Sequence, residues 1–271
     1  MTNPAFAPLR TSAEVVANEC DGETGRRLRL RVSGWPGSEP GQFVMLSPGP
    51  QSSVPRTDPL LPRPMAIYRS LPAGDAFEVL YKIVGRGTAL LAGAKPGDRL
   101  ALVGPLGRGF APPGPNEHAL LVGGGTGTAS LLEQAARAAA SGRATVMLGA
   151  RTADDLIGVP EFRALDVDLQ LATEDGSEGH PGRVTELLAK VLAGRGSPVV
   201  YACGPTPMMR AAAELARQHG VPCRVSLENP MACGFGVCLG CAAPLATGGF
   251  ALVCRDGPVF DACAVDWDQL A

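Results

Sequence analysis

The sequence predicts α/β plus all-β architecture in three consecutive parts: an antiparallel β-barrel over residues 1–113, a doubly wound parallel sheet over 114–226, and a small C-terminal loop subdomain over 227–271. Three observations carry this reading. Up to Pro113 the apolar residues fall in short runs cut by Gly/Pro clusters, the pattern of hairpin-connected sheets. From Ala119 onward, apolar strands alternate with helix-length Ala/Leu segments, which calls for a parallel sheet covered on both faces. The last stretch fits neither period and holds Cys233, Cys238, Cys241, Cys254 and Cys263.

In the first part, Leu28, Leu30 and Val32 alternate with Arg27, Arg29 and Arg31. Phe43 to Leu46 is an apolar run after a Pro/Gly turn, and Phe77 to Val84 and Arg99 to Gly104 read as further strands. Ala111-Pro112-Pro113-Gly114-Pro115-Asn116 marks the boundary. Beyond it, strands are expected at 119–122, 145–148, 167–171, 198–201 and 221–227. Helices are expected up to about Ala140, near 155–165, at 184–192 and at 206–218. Ligands of such sheets bind at the carboxyl ends of the strands.

Composition excludes several classes. A chain of 271 residues needs neither disulfides nor a metal merely to hold a core. It carries 24 basic and 26 acidic residues with no basic stripe, which argues against a nucleic-acid or anionic-membrane partner. Its 35 glycines and 25 prolines exclude an all-helical bundle. No apolar run approaches the ~18 residues that span a bilayer. Met1-Thr2-Asn3-Pro4 shows no secretory start, so a cytoplasmic location is expected. In that setting eight cysteines point to metal or redox chemistry.

Cys233, Cys238 and Cys241 are spaced C-x4-C-x2-C, with Cys254 downstream. This is the plant-type spacing for a 2Fe-2S cluster. A cluster held by four thiolates carries net negative charge, so its loop must bring backbone N–H groups to the sulfurs. Gly234, Gly236 and Gly240 let the chain wrap that closely. The competing assignment is a structural zinc site, although zinc sites usually pair two short cysteine halves. Cys20, Cys223 and Cys263 have no ligand-like spacing and read as core or surface thiols.

Other signals are weaker singly. Arg63-Pro64 follows a proline-rich loop and can offer a guanidinium fork to a phosphate, or be an extended turn. Gly85-Arg86-Gly87-Thr88 opens an apolar helix, as a pyrophosphate seat or an ordinary cap. Gly123, Gly124, Gly125, Thr126 and Gly127 stand between the first parallel strand and its helix, where a dinucleotide pyrophosphate binds. The second parallel strand ends on Arg151 rather than an acid; this side chain either meets an adenosine ribose or phosphate or is solvated. Cys203-Gly204-Pro205 ends the fourth strand, where the backbone can approach a planar ring or simply turn into the next helix.

In this order the pieces resemble the ferredoxin–NADP reductase superfamily. The tail from Leu227 to Cys241, followed by Cys254-Arg255-Asp256-Gly257-Pro258-Val259-Phe260-Asp261, resembles the electron-transfer subunits of type B dihydroorotate dehydrogenases. The resemblance implies an FAD-binding barrel, an NAD(H)-binding second domain and a 2Fe-2S cluster. It also implies a separate FMN-containing catalytic subunit, in a heterotetramer of two of each. By position, Arg63, Pro64, Met65, Ala66, Leu80, Tyr81, Lys82, Gly87 and Thr88 would contact FAD, and Cys233, Cys238, Cys241 and Cys254 would hold the cluster. Two departures stand out: Ala66 replaces the usual serine of the flavin motif, and the gap from Cys241 to Cys254 is short.

A nicotinamide passes two electrons as hydride and an iron–sulfur cluster accepts one, so a flavin must stand between them. Electrons would run from the partner's FMN through cluster and FAD to NAD+. That work needs no acid–base pair on this chain, and His118, His180 and His219, expected in loops or at helix ends, receive no catalytic role. Phe235, Val237 and Leu239 are either a partner-facing patch or an apolar plug under the cluster. Two rivals remain: a reductase subunit of the sulfide dehydrogenase or ferredoxin transhydrogenase type, whose cluster loops typically replace one cysteine, and a zinc-braced regulatory module that senses nicotinamide.

Overall fold

The structure, a computed structural model, describes residues 7–52, 58–194 and 196–270; the reading of Met1 to Pro4 lies outside them. The first part contains β1 (Leu9–Asp21), β2 (Gly25–Arg31), β3 (Phe43–Leu46), β4 (Arg63–Ala66), β5 (Arg69–Ser70), β6 (Ala76–Lys82), α1 (Arg86–Ala92) and β7 (Arg99–Leu106). The strands form one antiparallel sheet in the order β4-β3-β7-β1-β2-β6-β5. Its two edge strands, β4 and β5, are separated only by Ile67 and Tyr68, whose amides bond to Gln42 O and Glu78 O. One segment serving both edges draws the sheet into a barrel. Leu28, Leu30 and Val32 are fully buried inside it with Phe77, Val79, Leu100 and Leu102, while Arg29 and Arg31 remain partly or fully exposed.

The second part contains β8 (His118–Gly124), α2 (Leu132–Ala140), β9 (Ala144–Ala150), α3 (Val159–Arg163), β10 (Asp168–Thr173), β11 (His180–Pro181), α4 (Val184–Leu192), β12 (Pro198–Cys203), α5 (Thr206–Gln218) and β13 (Cys223–Ser226). The strand order β11-β10-β9-β8-β12-β13 is parallel throughout. Its direction of growth reverses between β8 and β12, which makes their carboxyl ends the switch point where such sheets bind ligands. The α2 and α3 residues pack on one face toward the barrel, and those of α4 and α5 on the other.

Three local differences from the sequence reading have physical causes. The run Gly123–Gly127 does not open directly into an α-helix; a tight 3₁₀ turn over Gly125–Ser130 intervenes before α2. The helix expected near 155–165 is split, because left-handed Gly158 (φ 71°) separates a turn at Ala153–Asp155 from α3. His118 and His180 begin strands rather than sitting in loops or at helix ends.

The tail contains β14 (Ala242–Pro244), β15 (Phe250–Leu252), α6 (Val253–Asp256) and β16 (Val259–Asp261). β14 and β15 pair as a two-stranded sheet, whereas β16 joins β13 as the only antiparallel edge strand of the large sheet described here. The cysteine loop is thus tied back to the sheet at both ends. Among the described residues, no helix is long and apolar enough to cross a membrane.

Candidate functional site

Two cavities lie along the seam between barrel and parallel sheet, and Lys82 lines both. The first, about 280 Å3, is walled by Arg63, Pro64, Met65, Ala66, Leu80, Tyr81, Lys82 and Thr88 of the barrel, Thr126 and Ser130 of the sheet, and Glu228, Asn229 and Met231 of the tail. Gly87 completes the barrel set from behind. A Cβ there would come within 2.6 Å of the Arg63 guanidinium, so only glycine lets that side chain lie flush against α1. Arg63 Nη1 donates to Leu61 O at 2.7 Å. The Thr88 hydroxyl is committed to the helix cap, donating to Gly85 O at 3.0 Å. A guanidinium over a glycine, with apolar strands beside it, suits a ligand that is part phosphate and part flat ring.

The sequence reading passed over Glu228. This residue is exposed by surface area and lines both the first cavity and a smaller one of about 230 Å3 near Phe250. It is accessible through these cavities yet enclosed by protein on the scale over which charges are solvated. Burial pushes this carboxyl above the ordinary range; the Cys203 thiol, 3.9 Å away, only partly offsets that. Cys203 is fully buried, and burial followed by the Glu228 charge pushes its thiol up as well.

The second cavity, about 500 Å3, follows the carboxyl edge of the sheet and is lined by Gly124, Gly125, Arg151, Asp155, Glu174, Arg183 and Pro205, among others. Of the residues singled out for a dinucleotide, Gly124, Gly125, Arg151 and Pro205 face it and Thr126 faces the first cavity. Gly123, Gly127, Cys203 and Gly204 line neither. Gly127 instead packs against the Cys203–Gly204 backbone, and Gly204 against Gly124 and Met208. They bring the carboxyl ends of β8 and β12 together. Lys82 spans the seam, donating to Asp155 Oδ1 at 2.8 Å and Asp155 O at 3.0 Å. That hydrogen bond holds the Asp155 carboxyl below its usual range.

The four ligand-spaced cysteines come as two pairs. Cys241 and Cys254 are buried, their Sγ atoms 3.2 Å apart. Cys233 and Cys238 lie close enough to influence each other's titration, at the outer side where Cys238 is exposed. Burial raises Cys233, but the Cys238, Phe235 and Val237 amides and the Cys238 thiol outweigh it and bring it down to about 6. Cys254 is pushed up to about 12 by burial and then by Cys241. Among the described residues no three His, Cys, Asp or Glu side chains converge as a single metal ion requires. Two cysteine pairs, with the Cys254 amide donating to Cys241 Sγ at 3.4 Å, fit a cluster of two irons, one pair to each, which would hold them as thiolates.

The loop's shape rests on left-handed backbone at Gly234 and Gly236, and at Leu239, the one positive-φ residue other than glycine among those described. A Cβ on Gly234 would meet Met45 Sδ at 3.0 Å and Leu106 Cδ1 at 3.1 Å, so the loop is pressed against the barrel. Met45 pairs with Pro64, which lines the first cavity. Met231, two residues before Cys233, lines it directly. Phe235, Val237 and Leu239 project outward at 54, 73 and 62 % exposure, a surface patch rather than a plug.

Comparison with known proteins agrees with this layout. Residues 228–266 match the family profile for the iron-sulfur cluster binding domain of dihydroorotate dehydrogenase B, and 121–214 that of the oxidoreductase NAD-binding domain. The dihydroorotate dehydrogenase B (NAD(+)) electron transfer subunit of Desulforamulus reducens is 38% identical over 233 residues, covering 84% of this chain and 87% of that protein. The subunit of Geobacillus thermodenitrificans is 40% identical, covering 83% and 86%. The probable subunit of Methanopyrus kandleri is 40% identical, covering 92% and 88%. Among solved structures, a chain of an NADH-dependent reduced ferredoxin-NADP oxidoreductase superposes with a TM-score of 0.83 at 34% identity, covering 95% of this chain and 91% of that one. The ferredoxin reductase of carbazole 1,9a-dioxygenase shares the fold, with a TM-score of 0.69 at 24% identity over 81% of this chain and 68% of that one. Relatives this similar over most of the chain settle its kinship: it belongs to the family of dihydroorotate dehydrogenase B (NAD(+)) electron transfer subunits.

Proposed function

We propose that this chain is the electron-transfer subunit of an NAD-dependent dihydroorotate dehydrogenase of pyrimidine biosynthesis. It works in the cytoplasm with an FMN-containing catalytic subunit, two of each per complex. The observation that carries this reading is contiguity. Lys82 is shared by the two cavities, and Met231 of the first cavity is two residues from Cys233. Three sites in a row match a relay from one-electron carrier to hydride acceptor.

Bound FAD, NAD(H) and a 2Fe-2S cluster supply hydride transfer at one end and single-electron transfer at the other. The chain's residues hold and insulate them. The Arg63 guanidinium, lying on Gly87, pairs with the flavin's phosphate, and Leu80 to Lys82 form the wall beside the ring. Gly124 and Gly125 give the dinucleotide close backbone approach, with Pro205 opposite and Arg151 at the adenosine end. Gly123, Gly127, Cys203 and Gly204 act behind that surface by holding β8 and β12 together. Ala66 offers no hydroxyl, so no side-chain hydrogen bond is made from that position. Glu228 holds a proton on its carboxyl at higher pH than an ordinary glutamate, and its two cavities give that proton a route between the flavin pocket and solvent. Cys233, Cys238, Cys241 and Cys254 ligate the cluster. The apolar Phe235, Val237 and Leu239 flank its outer pair in sequence and face the catalytic subunit.

Co-expression with an FMN-containing dihydroorotate dehydrogenase catalytic subunit tests the assignment. Dihydroorotate-dependent reduction of NAD+ by the complex, absent from either subunit alone, is the expected result. The 34% identity to a ferredoxin-NADP oxidoreductase chain favours a second reading, a subunit of that type. It predicts NADH-dependent exchange with ferredoxin and no response to dihydroorotate.

A further inference from the structure

The adenosine end of the second cavity carries more positive charge than a ribose needs. At the carboxyl edge, register places Ala150 of β9 beside Thr173 of β10, and Thr173 beside Pro181 of β11. Arg151 and Arg183 therefore leave the sheet on either side of Glu174, their backbones about 10 Å apart across two strand spacings. Both line the cavity. Arg151 is 82 % exposed, and its one ion pair is a long 3.7 Å contact to Asp155, whose carboxylate is already held by Lys82 at 2.8 Å. Among the described residues, no carboxylate lies within ion-pair distance of Arg183. Two uncommitted guanidinium forks at the end of the second strand are suited to a phosphate dianion. An NAD-only site places an acid there to take the ribose 2′-hydroxyl. The acids lining this cavity are Asp155, whose carboxylate is held by Lys82, and Glu174, one strand further out.

We infer that this edge is a 2′-phosphate seat, so that the chain accepts NADP(H) as well as NAD(H), with Arg151 and Arg183 as the residues that set the preference. This rests on the reading of the cavity as the dinucleotide site. Glu174 remains an acceptor for unphosphorylated ribose and opposes the phosphate by its charge, which keeps NAD(H) competitive.

The test is calorimetric titration of the FAD-loaded protein with 2′,5′-ADP and with 5′-AMP. The expected result is about tenfold or more tighter binding of 2′,5′-ADP, a margin that shrinks as salt rises. Arg151→Gln and Arg183→Gln should each cut that ratio several-fold, and the double variant should bring it near one. Arg151→Lys should retain part of it, and Glu174→Gln should enlarge it. Equal binding of the two nucleotides, or a ratio untouched in both arginine variants, overturns the inference and leaves the dinucleotide site standing. Binding of neither nucleotide overturns both.

Discussion

At the scale of single residues, the site depends on side chains whose neighbours leave them no alternative. Arg63 lies flush on Gly87 because nothing larger fits. Arg63→Ala removes a charge-assisted contact worth about 1.5–3 kcal/mol, so FAD should bind about 10- to 100-fold more weakly, as read by equilibrium dialysis. Glu228 makes a different prediction. Its carboxyl titrates above the ordinary carboxylate range because of burial, so it stays protonated to a higher pH than other glutamates. The rate of flavin reduction by NADH should show a limb at that raised pKa, and Glu228→Gln should erase it while leaving FAD content unchanged. The four cysteines proposed as cluster ligands stood out because three of them within nine residues make a spacing. Glu228 and Met231 were not, since a lone residue in a loop has no period and acquires meaning only when folding brings it to a cavity.

At the scale of elements, legibility followed regularity. The alternation in β2 and the long helices α4 and α5 stood out because their faces are cleanly divided. The longest strand, β1, did not. Its register shifts between Val15 and Ala17, and a bulge of this kind breaks the period on which recognition depends. β16 was hidden for another reason: three residues carry no period, and only the partner strand β13 makes them a strand. The cysteine loop shows how tightly one element constrains another. Gly234 combines φ +84° with contact to Met45 and Leu106. Gly234→Ala adds left-handed strain of about 1–2 kcal/mol and crowding of about 1–3 kcal/mol. The variant should bind less than half the wild-type iron, measured by colorimetric assay, while FAD content stays near normal.

At the scale of the whole molecule, the relay requires the barrel and the parallel sheet to keep one orientation. A buried ionic knot at their seam provides this. Arg27 of β2 pairs with Asp21 of β1 and with Glu161 of α3. Asp21 Oδ1 also accepts the Gly158 amide at 2.7 Å, and the Tyr68 hydroxyl lies 3.0 Å from both Gly158 O and Glu161 Oε2. Removing the central cation leaves the buried Asp21 and the part-buried Glu161 without their counter-charge, which costs up to about 3–5 kcal/mol. Arg27→Ala should therefore lower the midpoint of denaturant unfolding strongly. Arg27→Met combined with Asp21→Asn and Glu161→Gln should recover much of the loss. The order of barrel, parallel sheet and cysteine loop was visible in the sequence, because each part has its own period or composition. The seam was not, because its residues come from Asp21, Arg27, Tyr68 and Glu161, distant in the chain and ordinary in kind.

On this proposal the four cysteines, set as two pairs beside the first cavity, would hold a 2Fe-2S cluster that supplies single-electron transfer to and from the flavin. The most direct measurement is anaerobic reduction of the purified protein by NADH, followed by absorbance, with iron, labile sulfide and flavin assayed and Cys238→Ser treated alongside. The wild type should yield about two irons and two sulfides per flavin, bleaching of both chromophores, and onward transfer to a one-electron acceptor. Cys238→Ser should retain flavin bleaching and lose the transfer. A colourless wild-type protein, or a Cys238→Ser variant that keeps both its cluster absorbance and its one-electron transfer, would contradict it.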